Sequence, residues 1–321
     1  MREEGGHRIA AIGLASWDEF LVLDRFPRPG LAEVVRAETD QSGGTTANVA
    51  AALARLGVRV TFAGMVGDDD RGRRLRDDLA AESIDVRHLR TSSRDPTDSG
   101  VILVTGTPPA MERTILWRQG ARLRHGDYLP IEELFAHDLV VVDIDDLALR
   151  RLLVDLPMHV SPRTRLLGPL TYLIDASPEV GLDLALRHDY LVGNEDELRY
   201  LTESTTLDEA VTALREQLPL AQTRFAAISR GARGCLLVDR NGVRSLPALA
   251  VEVVDTTGAG DAFAAGVALG IVERWDLDRL GRFANAVGAL AIRRLGARAS
   301  LPTRVEAEEF GRSAAVLEAD R

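Results

Sequence analysis

One stretch of the 321-residue chain combines a strand, a tight turn and a helix: residues 251–266, VEVVDTTGAGDAFAAG. The β-branched run at 251–254 predicts a short buried strand, and the Gly-Ala-Gly at 258–260 predicts the turn. Asp261 and the alanine-rich residues after it predict a helix that begins at this turn. Because such a helix points unpaired backbone N–H groups forward, the stretch predicts an anion-binding site.

Asp261 lies in the first turn of this helix, where its negative charge would repel a statically bound phosphate. A carboxylate beside an anion-binding turn fits an anionic group that is being transferred, with the carboxylate accepting a proton from the group that attacks it. A carboxylate here is also a common helix cap, and the turn alone does not separate the two interpretations. Two nucleotide motifs do not match: a Walker A loop needs Gly-Lys-Ser/Thr, and a dinucleotide fingerprint needs a glycine where Phe263 stands.

Composition limits the kind of partner and the compartment. A formal net charge of −10 and a pI near 5.2 argue against a general nucleic-acid or anionic-membrane surface. The single cysteine, Cys235, excludes an internal disulfide framework, and no apolar run approaches the ~20 residues of a membrane helix. Residues 1–7 are polar, so we expect a cytoplasmic protein. The six histidines lack zinc-ligand spacing, and no serine lies in a G-x-S-x-G turn.

Strand-like and helix-like segments alternate along most of the chain. The strand-like segments are 8–14, 58–64, 139–143, 172–175, 190–192, 225–229 and 235–238, and helical patterns cover 45–56, 70–82 and 283–290. This alternation predicts an open, mainly parallel sheet covered by helices on both faces. Two segments, about 15–42 and 91–125, break the rhythm with further strand-like runs and predict a small separate sheet. No linker divides the chain, so we expect one domain over residues 1–321.

The string D-T-T-G-A-G-D-A-F-A-A-G at 255–266 resembles the C-terminal signature of the PfkB family of carbohydrate kinases, the ribokinase-like enzymes. The resemblance extends from Asp18 through Ser300 and implies ATP-dependent phosphorylation of a sugar hydroxyl. It implies a ribokinase-like three-layer α/β/α sandwich, with a mainly parallel central sheet and a small β-sheet lid made by the two inserted segments. Asp261 is then the catalytic base, and the anion hole is formed by the backbone amides of Gly258, Ala259 and Gly260.

The acceptor site implied by the resemblance lies after the first two strands. Asp18 matches the family's sugar-binding aspartate, and Gly43-Gly44-Thr45-Thr46-Ala47-Asn48 resembles its G-G-x-x-x-N turn. Short carboxylate and amide side chains suit sugar hydroxyls, since one accepts and the other both donates and accepts. Asp145, after the strand at 139–143, resembles a further sugar contact, although a carboxylate there can also simply solvate a loop.

The charge of the substrate has two opposing signals. Family members that act on sugar phosphates commonly have a lysine in the glycine turn, whereas this chain has Thr45 and Thr46, which favours a neutral sugar or nucleoside. Against this, four lid arginines could bind a phosphate or carboxylate, namely Arg113, Arg118, Arg122 and Arg124. Most exposed arginines are simply solvated, so we expect the neutral substrate.

The resemblance also implies a nucleotide site and two cation sites. Asn194 and Glu197 match the family's N-x-x-E motif, which serves magnesium through water, although both also suit an ordinary helix start. The nucleotide site is implied at Ser229, Gly231 and Gly234, which could equally form a hairpin turn, and at Asn285. Asp255, together with Ser300 in the loop G-A-R-A-S at 296–300, resembles a monovalent-cation site. The expected cofactors are therefore ATP, Mg²⁺ and K⁺.

Two alternatives to a sugar kinase stay open: a nucleoside kinase on the same fold, and a non-catalytic sugar- or nucleotide-binding protein. The small sheet adds an expectation about assembly. Alone it would expose an apolar face that includes Ile102, Val104, Ile115 and Trp117. Burial of this face against a second copy predicts a homodimer through the lid.

Overall fold

Nine strands of the computed structural model, which describes residues 6–107, 110–156 and 164–315, form a large sheet. In chain order they are β1 (Arg8–Gly13), β4 (Arg59–Gly67), β5 (Asp85–Ser92), β8 (Leu139–Asp143), β9 (Arg165–Pro169), β10 (Tyr190–Asn194), β11 (Phe225–Ser229), β12 (Cys235–Asp239) and β13 (Gly242–Leu246). Across the sheet the order is β13-β12-β11-β10-β9-β8-β1-β4-β5. From β11 to β5 each strand of this sheet is parallel to its neighbour, whereas β12 is antiparallel to both β11 and β13. The predicted mainly parallel sheet is therefore confirmed.

Helices cover both faces of this sheet. One face carries α1 (Thr45–Arg55), α2 (Asp70–Ala81), α8 (Ala259–Val272), α9 (Leu277–Ala291) and α10 (Arg304–Ser313). The other carries α3 (Ile131–Leu134), α4 (Leu147–Asp155), α5 (Pro178–Ala185), α6 (Glu195–Leu201) and α7 (Leu207–Gln217). Side chains alternate between the two cores, so Ile9 and Ala11 of β1 pack on the first face while Ala10 and Ile12 pack on the second. The expected three-layer α/β/α sandwich is confirmed.

A small sheet is formed by β2 (Ser16–Leu23), β3 (Val35–Gly43), β6 (Ser99–Thr107) and β7 (Ala110–Arg118), in the order β3-β2-β6-β7. It uses both inserted segments, as predicted. Ile102 and Val104 are each only 2% exposed, because they pack with Phe20 in a cluster of their own. The expectation that these two residues lie on an exposed apolar face is therefore wrong. Ile115 and Trp117 of the edge strand β7 are exposed, as expected, by 53% and 45%.

The predicted strand at 172–175 is wrong. This segment lies in a 3₁₀ helix, Thr171–Asp175, and the strand of this region is β9, which ends at Pro169. Proline has no N–H to continue a ladder, and the chain turns there, with the N–H of Leu170 donating to the carbonyl of Val192 at 2.9 Å. As a result Tyr172 lies beyond the carboxyl edge of the sheet rather than within it.

The predicted strand at 251–254 is also wrong. The large sheet ends at β13, and the N–H of Val254 donates instead to the carbonyl of Ile292, directly after α9, at 2.9 Å. The valines of this segment are half-buried by packing, without a ladder partner. The turn and the helix predicted after them are confirmed, because α8 begins at Ala259.

The winding of the chain reverses beside β1. From this strand the chain runs outward through β4 and β5 on one side, and from β8 through β13 on the other. In such sheets ligands bind beyond the carboxyl ends of the strands at the reversal point, here Gly13 of β1 and its neighbour Asp143 of β8. Within the described part of the chain, no helix combines the length and apolar character that crossing a membrane would require.

Candidate active site

Asp143 forms the floor of the crevice at the reversal point. Its Oδ2 accepts hydrogen bonds from the hydroxyls of Thr45, at 2.8 Å, and Thr46, at 3.4 Å, both at the start of α1. Its Oδ1 is buried and has no partner among the described residues. Burial raises the pKa of Asp143, and the Arg150 guanidinium beneath it acts in the opposite direction. The sequence had favoured Asp145 on this strand end, but the buried position next to Gly13 belongs to Asp143.

The glycine turn before α8 has the conformation that the sequence predicted. Gly258 is the N-cap residue with φ of 77°, a left-handed conformation that non-glycine residues avoid. A Cβ at this position would lie 2.7 Å from the Cβ of Ala297, so the turn also needs the space. The N–H of Ala259 donates a long hydrogen bond of 3.3 Å to the carbonyl of Thr256. Of the three amides expected in the anion hole, this one is thus partly engaged within the turn.

Asp261 turns away from the backbone of its own helix. The N-cap residue of α8, Gly258, has no side chain to cap the helix, and Oδ2 of Asp261 accepts a hydrogen bond of 2.8 Å from Nδ2 of Asn48. Burial raises the pKa of Asp261 to about 7, and the nearby Asp143 adds to the increase. The bond from Asn48 and the positive charge of Arg113 oppose it. The result is a partly buried carboxylate with a pKa near neutral pH, which suits a general base.

Asp18, Gly43 and Asn48 lie together on the acceptor side of Asp261. A Cβ on Gly43 would lie 2.0 Å from Oδ2 of Asp18, so only glycine lets this carboxylate lie against the backbone. Gly44, with φ of 92°, is the N-cap residue of α1. Burial raises the pKa of Asp18 to about 6, and a hydrogen bond from the Ser16 hydroxyl opposes the increase. The sugar-binding residues implied by the sequence are therefore adjacent in space.

Arg298 completes this cluster, and no role for it was predicted from the sequence. Its guanidinium is buried and donates from Nε to Oδ1 of Asn48 at 2.8 Å, from Nη1 to Oγ of Ser42 at 2.8 Å, and from Nη2 to the carbonyl of Gly43 at 3.3 Å. Burial lowers the pKa of Arg298 to about 10, and the negative charge of Asp18 is the main opposing influence. The only sequence signal was an arginine between two alanines in the loop at 296–300.

Asp145 lies beside the crevice but is engaged by two lid arginines. Arg122 reaches its Oδ2 at 2.5 Å, and Arg124 reaches it at 3.2 Å. Arg122 also pairs with Asp98 at 2.7 Å and stacks on the Trp117 ring at 3.9 Å. Asp145 therefore serves first as the counter-charge of these arginines. A sugar hydroxyl bound to Asp145 would share this carboxylate with Arg122 and Arg124.

The other two lid arginines differ from each other. Arg118 lies 3.8 Å from Glu19 on the opposite side of the small sheet from the site. Arg113 reaches across to the glycine turn, where Nη1 contacts the hydroxyls of Thr256 at 3.3 Å and Thr257 at 3.4 Å. Arg113 therefore faces the glycine turn, whereas Arg122 lines the crevice near Asp143 and Tyr172 with its charge paired to Asp98 and Asp145.

A cavity of about 70 Å³ lies on the other side of Asp261. Its lining includes Asp143, Asn194, Glu197, Ser229 and Gly260. Asn194 and Glu197 form a capping box at the start of α6, in which each side chain accepts the other residue's backbone N–H. Burial raises the pKa of Glu197 to about 7. Carboxylates of raised pKa around an enclosed space are stabilised by a cation, so this lining fits a magnesium–nucleotide complex.

Comparison with known proteins decides the family. The model of the pfkB family carbohydrate kinases matches residues 7–304, almost the whole chain. The chain belongs to the PfkB family. It is an ATP-dependent carbohydrate kinase, as the sequence predicted.

The relatives of this PfkB kinase span its full length. An ATP-dependent ribose-1-phosphate kinase of Halopiger xanaduensis is 31% identical over 304 residues, covering 92% of this chain and 95% of the relative. The ribokinase of Bacillus subtilis is 29% identical over 322 residues, covering 94% and 98%. The structure of Arabidopsis thaliana ribokinase, complexed with ribose and ATP, superposes with a TM-score of 0.81 at 22% identity, covering 96% and 99%. The last likeness shows the ribokinase-like fold.

The remaining residues expected in the nucleotide site divide in two. Ser229 lines the cavity and donates to the carbonyl of Gly193 at 3.2 Å, and Gly231 and Gly234 form the turn that joins β11 to the antiparallel β12. This turn is consistent with both interpretations of its sequence. Asn285 lies outside the cavity lining and donates to the carbonyl of Pro247 at 2.9 Å.

The expected cation site of this PfkB kinase rests on Asp255. Its carboxylate accepts hydrogen bonds from the N–H of Thr257 at 3.0 Å and from the N–H of Gly296 at 2.8 Å, so it joins the two loops that the sequence had paired. The hydroxyl of Ser300 donates to the carbonyl of Ala291 at 2.7 Å, away from Asp255. In the described part of the chain no three His, Cys, Asp or Glu side chains form a metal-binding group. A magnesium ion would therefore bind with phosphate and water ligands.

Proposed function

We propose that this kinase transfers the γ-phosphoryl group of ATP to a hydroxyl of a neutral sugar, with Asp261 as catalytic base. The observation that supports the proposal is the position of this carboxylate. It lies between the acceptor cluster of Asp18 and Asn48 and the cavity lined by Asn194 and Glu197. A base in this position can reach a hydroxyl on one side while the phosphoryl donor occupies the other.

In the proposed reaction, Asp18 and Asn48 orient the sugar, and Asp261 takes the proton of the attacking hydroxyl. The sugar oxygen then forms its bond to the γ-phosphorus as the bond to ADP breaks. The N–H groups of Gly258, Ala259 and Gly260 donate to the charge that develops on the transferred group. Arg113, at the adjacent threonines, adds a positive charge to the same place. Asn194 and Glu197 would hold a nucleotide-bound magnesium ion through water, and the ion would supply positive charge to the phosphates.

The state of the lid arginines supports a neutral acceptor. Arg122 and Arg124 share carboxylate partners inside the protein, and Arg118 faces away. A phosphate or carboxylate on the sugar would have to displace these ion pairs, which costs free energy for a buried pair. Arg113 contacts threonine hydroxyls rather than a carboxylate, so an anionic substituent would meet this arginine most readily, and the ribose-1-phosphate kinase among the relatives makes a phosphosugar the leading competitor.

The experiment is ADP release with a panel of acceptors: ribose, fructose, inosine, adenosine, ribose 1-phosphate, fructose 6-phosphate and 2-keto-3-deoxygluconate. We expect a neutral compound to have a kcat/KM at least ~10-fold above any phosphosugar or sugar acid. A phosphosugar that outperforms every neutral compound would overturn the substrate proposal. A nucleoside at the top of the panel would establish the nucleoside kinase alternative, and binding without any ADP release would establish the non-catalytic one.

We further propose that K⁺ binds at Asp255 beside Ser300 and organises the anion hole through the backbone of the 255–258 turn. Equal activity in potassium and in potassium-free tetramethylammonium buffer would contradict this.

We also propose that the whole chain works as one unit in the cytoplasm, where ATP is available, as a homodimer in which a second copy covers the exposed Ile115 and Trp117 on one face of the small sheet.

A further inference from the structure

Arg298 is a buried cation whose contacts, among the described residues, are to neutral acceptors. The amide oxygen of Asn48, the hydroxyl of Ser42 and the carbonyl of Gly43 surround its guanidinium at 2.8 to 3.3 Å. A buried charge without a directly bound counter-charge is costly, and such groups commonly serve function. This one lies 250 residues from Asn48 in the chain and directly beside it in space.

The contacts of Arg298 determine which way the Asn48 amide points. A guanidinium can only donate hydrogen bonds, so the atom of Asn48 that faces it must be the oxygen. The amide nitrogen then faces Oδ2 of Asp261, at 2.8 Å, where an ionised carboxylate can only accept. A flipped amide would place its oxygen against the carboxylate and its nitrogen against the guanidinium. Both contacts would be repulsive.

We propose that Arg298 is a positioning residue: it holds Oδ1 of Asn48, keeps Nδ2 of the same amide on Asp261, and thereby fixes the carboxylate that accepts the substrate proton. The inference rests on the proposed role of Asp261 as base. Because the same guanidinium also binds Ser42 and Gly43 at the end of β3, the alignment depends on the junction between the small sheet and α1.

The test compares two substitutions at one position. Arg298→Met removes every donor, whereas Arg298→Gln keeps an N–H donor for Asn48 without the charge. A misplaced base costs on the order of 100-fold in rate, so we expect Arg298→Met to lower kcat by about that factor and to raise KM far less. We expect Arg298→Gln to recover at least about 10-fold of the lost kcat.

A matched control is available in Arg55. It holds the same loop from outside, donating from Nη1 to the carbonyls of Arg298 at 3.0 Å and Leu301 at 3.4 Å, but it does not contact Asn48. If loop anchoring alone matters, Arg55→Gln and Arg298→Met will lower the melting temperature and leave kcat near wild type. The proposal expects only the Arg55 variant to behave in this way.

A double-mutant cycle with Asn48→Ala isolates the route. If Arg298 acts through Asn48, the Arg298→Met/Asn48→Ala protein has the kcat of Asn48→Ala alone. A double mutant whose loss in kcat equals the product of the two single losses would overturn the proposal. If Arg298→Met does not fold, the Arg298→Gln protein decides the question. Because glutamine keeps a donor for Asn48, the proposal expects this protein to have a higher kcat than Asn48→Ala, and an equal or lower kcat would contradict it. Failure of the base assignment appears separately: Asp261→Asn would then keep its turnover, whatever the Arg298 variants do.

Discussion

At the scale of single residues, the site is a set of buried charges that hold one another in place. Asp261 and Asp18 both have a raised pKa because they are enclosed, and Arg298 lies next to both without pairing directly with either. In water these groups would be separately solvated and would titrate at ordinary values. Enclosure makes Asp261 a stronger proton acceptor at neutral pH, which a phosphoryl-transfer base requires.

The pH dependence of turnover follows from Asp261. The charged and titratable groups that influence it from other elements are Asp143, Tyr172, Arg113 and Arg298. A base acts when ionised, and a pKa raised to about 7 means that activity is lost as the pH falls through about 7. We expect kcat/KM, measured between pH 5 and 9, to fall about tenfold per pH unit on the acid side.

Charge removal on the lid refines this pH prediction. Arg113→Met should move the acid limb to higher pH, because the Arg113 charge lowers the pKa of Asp261. Arg118→Met, on the opposite side of the small sheet beside Glu19, is the control and should leave the limb in place. A profile that stays flat down to pH 5 in the wild type would contradict the assignment of the limb to Asp261.

How much of this site the sequence could predict depended on local patterning. Asp18, Asn48 and Asp261 follow strands or glycine turns in recognisable strings, so their role could be proposed from the resemblance. Arg298 and Asp143 could not be assigned, because their partners come from distant parts of the chain and only the folded sheet brings them together. Asp145 was preferred over Asp143 on the resemblance to the family, and nothing in the sequence shows that Arg122 and Arg124 engage this carboxylate.

At the scale of elements, prediction worked where both local propensity and pairing agreed. The buried strands β1, β8, β10 and β11 were predicted nearly to their ends, because strands covered on both faces are apolar throughout. The edge strand β5 was missed, since its sequence DVRHLRTS is mostly polar. Residues 251–254 misled in the opposite way: they are mostly apolar, but they form no strand, and the N–H of Val254 donates to the carbonyl of Ile292.

The turn before α8 gives a prediction at this scale. Gly258→Ala should lower the free energy of unfolding by more than ~2 kcal/mol, because a left-handed Ala costs ~1–2 kcal/mol and its Cβ would also crowd Ala297. Gly260→Ala is the matched control: a Cβ there meets nothing within 4 Å, and Ala in a helix is favoured over Gly by ~0.5–1 kcal/mol. Urea unfolding of both variants measures the difference. Equal stability of the two would show that the left-handed turn is not needed.

At the scale of the whole molecule, the small sheet covers the site from one side and leaves its two edge strands, β3 and β7, largely exposed. The arrangement follows from the two inserted segments, and its existence could be predicted because they break the alternation of strand and helix. Which apolar residues it buries internally could not, since Phe20, Ile102 and Val104 form their own cluster. Val35 is exposed on the edge strand β3, and Ile115, Leu116 and Trp117 are exposed on the other edge strand, β7.

That edge carries the prediction about assembly. We expect a dimer at micromolar concentration, and Ile115→Glu, at a residue that is 53% exposed on β7, should shift it to monomer. Leu220→Glu is the control, because Leu220 is 90% exposed and lies far from the small sheet in the chain. Sedimentation velocity distinguishes the species. A wild-type protein that sediments as a monomer would exclude the dimer.

The central claim is that the partly buried Asp261 carboxylate removes the acceptor proton, and the most direct measurement is steady-state turnover of Asp261→Asn on the best acceptor of the panel. Asparagine preserves the shape and can still meet Asn48, but it cannot accept the proton. We predict a loss in kcat of at least ~100-fold, with nucleotide affinity and melting temperature no lower than those of the wild type. Near-wild-type kcat in a folded Asp261→Asn protein would contradict the account.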